Sequence, residues 1–197
     1  MPPTTPFTTI SDDSHDRSRL DATNVLHPTV AIARHALESQ YRKGKFNVPL
    51  IALPDDLPTQ AGAFVTLASR PTEELRGCIG TLEPTRPTLC EEIAYNALAA
   101  AMCDPRFPPV RAEELDRLKI KVDVLLPPET VTNLAELDPR RYGIVVIQGT
   151  ARGLLLPDLP EVNDVNTQLA IAMQKGGIQP HLPMTIKRFG VMRFAEP

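Results

Sequence analysis

A chain of 197 residues with 42% hydrophobic and 23% charged side chains is long enough for one sizeable domain and has the composition of a globular protein. Its formal net charge of −3 gives no electrostatic basis for binding nucleic acid, and no apolar run reaches the roughly 18 residues that a membrane-spanning helix needs. The N-terminus lacks a basic segment leading into an apolar stretch, and Cys78, Cys90 and Cys103 are odd in number with no CxxC. Both features argue against a secreted disulfide scaffold and for a cytoplasmic location.

Residues 1–23 mix Pro, Thr, Ser and Asp without apolar periodicity, which predicts a tail ahead of a domain over 24–197. His15, among Asp12, Asp13 and Asp16, reads as part of that solvated tail rather than as a metal ligand. After Pro28, Val30, Ala33, Ala36 and Leu37 recur at helical spacing, and Gly44 is placed to stop the helix. His35 beside that stripe is expected to be a satisfied helix histidine.

Ala61–Ser69 and Arg76–Leu82 read as two strands joined by a polar turn. Thr88 and Glu91 have the spacing of a capping box, opening an alanine-rich helix that ends near Asp104-Pro105. Val110–Leu118 suggests a short helix. In the strand that follows, Ile120, Val122 and Val124 alternate with Lys119, Lys121 and Asp123, the pattern of a half-buried antiparallel strand with the charges on its wet side. YGIVVIQG and ARGLLLP read as a hairpin turned at Gly149-Thr150. A helix is predicted over Val162–Lys175, stopped by Gly176-Gly177, and TIKRFGVMRF closes the chain as one strand. With no βαβ rhythm, the class is α+β, a mixed and largely antiparallel sheet flanked by helices.

The segment LRGCIG, Leu75–Gly80, is the first candidate site. Strict alternation turns Leu75, Gly77 and Ile79 one way and Arg76, Cys78 and Gly80 the other. Arg76 and Cys78 would then share a face about 7 Å apart, where a guanidinium bending over the sulfur favours thiolate. Gly77 and Gly80 leave the backbone bare for a ligand or another chain segment. The alternative is a small core cysteine whose glycines accommodate packing. Cys90 and Cys103 read as core. The second candidate is DPRFPPV, Asp104–Val110. There Asp104 either pairs with Arg106 to lock the helix exit or serves as acid or base, with Arg106 as an anion clamp and Phe107 as a buried anchor. No dinucleotide fingerprint, phosphate loop, zinc motif or nucleophile elbow is present.

RGCIGTL at Arg76–Leu82, AYNALAAAMCDPRFPPV at Ala94–Val110, ELDRLKIKVDVLLPPE at Glu114–Glu129 and GIVVIQGTARGLLLP at Gly143–Pro157 together resemble the AMMECR domain family. The resemblance implies an α+β fold with larger and smaller subdomains and the RGCIG segment near the groove between them. It implies a site of Cys78, Arg76 and Asp104 with Gly77, Gly80 and Arg106 as binding residues. It attaches no cofactor, no metal and no settled reaction. Two readings follow: a cysteine-using enzyme or component working with Memo-like and radical S-adenosylmethionine proteins, or a non-catalytic binding module whose groove receives a partner or small ligand. On either reading the Arg76–Leu82 strand is expected inside the main sheet, with the alanine-rich helix over its Ile79 face, Cys78 opening to a cleft and Arg106 pointing at Cys78's face.

Overall fold

Pro28 occupies the first turn of helix α1 (Pro28–Lys43), where its missing N–H costs nothing, and Gly44 ends it in the left-handed conformation at φ 65°. The computed structural model describes residues 26–197, so the expected tail over residues 1–23, with His15, lies outside the described residues. The strands are β1 (Ala63–Ser69), β2 (Glu74–Gly80), β3 (Leu118–Leu125), β4 (Glu129–Thr130), β5 (Gly143–Gln148), β6 (Ala151–Leu155), β7 (Thr185–Phe189) and β8 (Val191–Ala195). Helices α2 (Leu89–Met102) and α3 (Val165–Gly176) complete the α+β architecture, and Ala112–Arg117 forms a 3₁₀ helix.

The strands divide into two four-stranded antiparallel sheets, ordered β2-β1-β3-β8 and β4-β7-β5-β6. TIKRFGVMRF, predicted as one strand, is two: the chain leaves the second sheet after Phe189, bends at Gly190 and enters the first at Val191. The larger unit packs α1 and α2 on the face of the first sheet that carries Ala63, Val65, Leu67, Ile120, Val122 and Val124, all buried. The smaller unit packs α3 on the second sheet around Ile144, Val146, Leu169 and Ala172. A third cluster joins them, with Leu125, Val145 and Phe189 at its centre and Phe64 and Leu82 against it.

Thr88 caps α2 by accepting the Glu91 N–H at 3.2 Å. Glu92, also in the first turn of α2, organises the loop before the helix. Its carboxylate is buried and accepts the Thr85 N–H at 2.6 Å, the Arg86 N–H at 2.9 Å and the Thr81 hydroxyl, fixing the loop that follows β2. Burial pushes its pKa up, but these donors outweigh burial and hold it below the ordinary glutamate value. Glu92→Gln keeps one acceptor oxygen for the two backbone donors, so a loss of about 1 kcal/mol is expected. Hydrogen exchange should quicken at Thr85 and Arg86 while the β1–β2 amides stay protected; unchanged exchange in the loop would contradict this role.

Candidate functional site

β2 lies at the edge of its sheet, not inside it. Its pairing with β1 is regular from Gly80 to Gly77, opposite Phe64 to Leu67, and then Ala68 faces Leu75. Arg76 is therefore the extra residue of a β-bulge, and a bulge re-aims the side chain it carries. Cross-strand partners share a face, so the residue beside Cys78 on the open face is Leu75, which is exposed, and not Arg76. The expected Arg76–Cys78 face does not form, because strict alternation fails at the bulge. Arg76 instead takes Glu114 in a two-pronged pair, Nε at 2.8 Å and Nη2 at 3.2 Å, and donates to the carbonyls of Pro108 and Pro109. This arginine holds Glu114 below its ordinary pKa against the upward push of burial.

The loop held by Arg76 grips the strand in return. Asp104 is buried, and its Oδ2 accepts the Cys78 N–H at 2.8 Å. Arg106 binds both Asp104 oxygens through its side chain, at 2.9 and 2.7 Å, and its Nη2 donates to the Cys78 carbonyl at 3.3 Å. A carboxylate and a guanidinium thus occupy the N–H and C=O that an edge strand would otherwise offer to another chain. The Arg106 hydrogen bond holds Asp104 far below the usual carboxylate range despite burial, with help from the Cys78 N–H. Asp104 stays ionised at neutral pH and has no proton to give as a general acid. Phe107, expected as the buried anchor, is only half-buried; Val110, whose N–H donates to the Ala101 carbonyl, is the buried one.

The two glycines serve this arrangement. A Cβ on Gly77 would stand 2.2 Å from the Ala100 carbonyl oxygen, so α2 covers the Gly77–Ile79 face at a distance only glycine permits. A Cβ on Gly80 would stand 2.3 Å from the Phe64 ring. The segments that approach this bare backbone belong to the chain itself.

What β2 presents outward is the Cys78 side chain, half-buried, with Sγ 3.3 Å from Thr66 Oγ1 on β1. Opposite Thr66 on β3 stands Lys121, so thiol, hydroxyl and ammonium line up across three strands on the face the helices leave uncovered. The guanidinium that reaches the Cys78 backbone is that of Arg106, whose pKa is raised mainly by its hydrogen bond to Asp104. Thr66 and Lys121 carry no motif; only the cross-strand register reveals them. Asp123, expected on the wet side of β3, is buried; Arg193 donates to its Oδ1 at 2.7 Å and also reaches Asp158. Cys103 is exposed at the end of α2 rather than core, Cys90 is half-buried, and His35 Nε2 lacks a hydrogen-bond partner. Beyond Gly80 a cavity of about 330 Å³ opens between the units, with Leu82, Val145 and Leu154 as its apolar walls and the Glu83–Arg152 ion pair across it. Among the described residues no group of three metal-ligating side chains gathers, and no helix is long and apolar enough to cross a membrane.

The AMMECR1 family model matches residues 30–195. A protein of Thermotoga maritima is 48% identical over 170 residues, covering 85% of this chain and 97% of its own length. One of Clostridium acetobutylicum is 40% identical over 171 residues, 86% of this chain but 36% of its own length. The crystal structure of an uncharacterized protein from Pyrococcus horikoshii is similar with a TM-score of 0.76 at 34% identity, covering 86% of this chain and 90% of that one. A match that runs through both sheets and takes in the bulge, the loop that grips it and the Cys78 face identifies more than a shared fold: the chain belongs to the AMMECR1 family.

Proposed function

We propose that the open face around Cys78 is the working surface of this domain and that Cys78 is its reactive group. The domain then acts as a cysteine-using enzyme or enzyme component. The observation that carries this reading is the presentation of the thiol: Asp104 and Arg106 fix both backbone polar groups of Cys78, while the half-buried Sγ is hydrogen-bonded to the Thr66 hydroxyl on the sheet face that the helices do not cover. Preorganisation of this kind suits a nucleophile, whose reactivity depends on a fixed geometry and on a nearby cation. In this reading Arg106 supplies the cation that Arg76 was expected to supply. Asp104 is a positioning residue, Gly77 and Gly80 allow the close packing, and Arg76 anchors the loop. Memo-like and radical S-adenosylmethionine proteins are its proposed partners, and a reducing cytoplasm is the compartment in which the thiol stays free.

Iodoacetamide labelling followed by peptide mass spectrometry tests the reading. Cys78 is expected to label at least as fast as Cys103, although Cys103 is the more exposed of the two. Labelling of Cys78 slower by about a hundredfold would sink the enzyme reading. The rival is a non-catalytic binding module, favoured by one observation: Arg76, Gly77, Gly80, Asp104 and Arg106 are all engaged in holding β2, the loop and α2 together. Pull-down from cells with the wild-type chain and with Cys78→Ala, with small molecules read by mass spectrometry, separates them. An adduct lost with the thiol supports the enzyme, whereas the same captured ligand and partner without it supports the module.

A further inference from the structure

Four charged groups of the open face remain outside the arrangement that grips β2: Lys119, Lys121, Asp123 and Arg193. Asp123 is fully buried, yet only Oδ1 is hydrogen-bonded, to Arg193 Nε at 2.7 Å; Oδ2 has no hydrogen-bond partner. Lys121 Nζ lies 4.0 Å from that oxygen, within reach of its charge but too far for a hydrogen bond. Two cations thus flank one buried carboxylate, and Arg193 is additionally held by Asp158 and the Pro157 carbonyl. Lys121 is the one with freedom to move: it stands opposite Thr66, which stands opposite Cys78, on a half-exposed stretch of the face. Lys119, one step along the same face, is committed to Glu73 at 2.6 Å.

We infer that Lys121 is the anion subsite of the Cys78 face and selects ligands carrying a carboxylate. The unsatisfied oxygen of Asp123 keeps the ammonium over the sheet without binding it, so an incoming carboxylate competes only with a loose contact. Cys78 and Lys121 lie two strand spacings apart, about 10 Å between backbones, and both side chains reach over the intervening Thr66. A ligand anchored at the ammonium therefore has its next few carbons over the thiol. A single ammonium matches a carboxylate monoanion. A phosphate calls for a free guanidinium fork or converging backbone N–H groups, and the guanidinium nearest Lys121, that of Arg193, is already taken by Asp123, Asp158 and the Pro157 carbonyl. The inference rests on the reading of Cys78 as the reactive group and adds the class of compound it meets.

The test compares iodoacetate with iodoacetamide as probes of Cys78 in the full chain. In both reactions the thiolate sulfur bonds to the CH2 carbon and iodide leaves, so the two reagents differ only in carrying a carboxylate or an amide. The iodoacetate-to-iodoacetamide rate ratio at Cys78, normalised to free cysteine under the same conditions, is expected to exceed one. Lys121→Gln should lower that ratio roughly three- to tenfold, as the loss of one nearby charge in a half-exposed site would, while the iodoacetamide rate holds. Lys119→Gln should leave the ratio unchanged, and salt at about 1 M should erase the preference in the wild type. A ratio unmoved by Lys121→Gln overturns the subsite while leaving Cys78 reactive. A Cys78 that reacts with neither reagent overturns the reactive-cysteine reading itself, and the subsite with it.

Discussion

Replacing Gly77 by alanine should destabilise the protein by about 3 kcal/mol, the upper part of the range for forcing an extra carbon into a packed interface. The new Cβ would lie 2.2 Å from the Ala100 carbonyl oxygen, and that oxygen is part of a helix backbone, so no side-chain rotation relieves the contact. In a chain of this size the loss corresponds to a melting temperature lower by roughly 6–12 °C, measurable by circular dichroism. Gly44→Ala is the informative comparison. Gly44 has φ 65° and nothing within 4 Å of its added carbon, so it tests conformation without crowding, with an expected loss of about 1 kcal/mol. Equal losses at the two sites would mean that α2 slides away from β2 at little cost, and the close-packing account of Gly77 would fail. If the account holds, the same substitution should loosen the Cys78 backbone. Asp104 follows α2 by two residues, and its hold on the Cys78 N–H depends on where that helix ends.

The elements were legible wherever a local signal and a burial pattern agreed. Thr88 ahead of an alanine-rich stripe, the Gly149-Thr150 turn between two apolar runs, and Gly177 after α3 each carry their own physical cause, and each stands where expected. The misreadings share a different cause, since they depend on partners distant in sequence. Nothing in LRGCIG announces that β2 carries one residue more than β1 pairs with, so strict alternation places Arg76 beside Cys78, where the bulge does not leave it. TIKRFGVMRF has uninterrupted strand character, and only the packing of two units makes Gly190 a crossing point between sheets. Asp123 alternates as a wet residue should. It is buried because Arg193, seventy positions later, comes to lie over it. Glu114 sat inside a segment that resembled the family, but its role depends on the bulge and could not precede it. The site was therefore legible as a set of residues, and its division of labour was not.

Asp104→Ala is expected to cost about 3 kcal/mol, through three losses that occur together. The Cys78 N–H loses its acceptor in a place shielded from water, Arg106 loses both carboxylate contacts, and the arginine is then free to swing off the Cys78 carbonyl. Arg106 is itself about half exposed, so the ion pair alone contributes modestly and most of the loss should come from the unmet backbone donor. A double-mutant cycle with Arg106→Ala separates the two. Removing Arg106 alone should cost about 1 kcal/mol, and removing both should cost little more than removing Asp104, because the arginine acts on Cys78 largely through the aspartate. The pH dependence gives an independent check. The folded Asp104 has its pKa depressed below the unfolded value, first by the Arg106 hydrogen bond against the opposing effect of burial, so its contribution is full above an unfolded pKa of about 3.9. That contribution is lost only as the pH falls toward the depressed folded value. The stability gap between wild type and Asp104→Ala should therefore be flat from pH 7 to about 5 and narrow steadily below about 4. A gap that closes near neutral pH, or strictly additive losses in the cycle, would show that Asp104 does not hold the Cys78 backbone through an ionised carboxylate. The fixed presentation of the thiol would then need another cause.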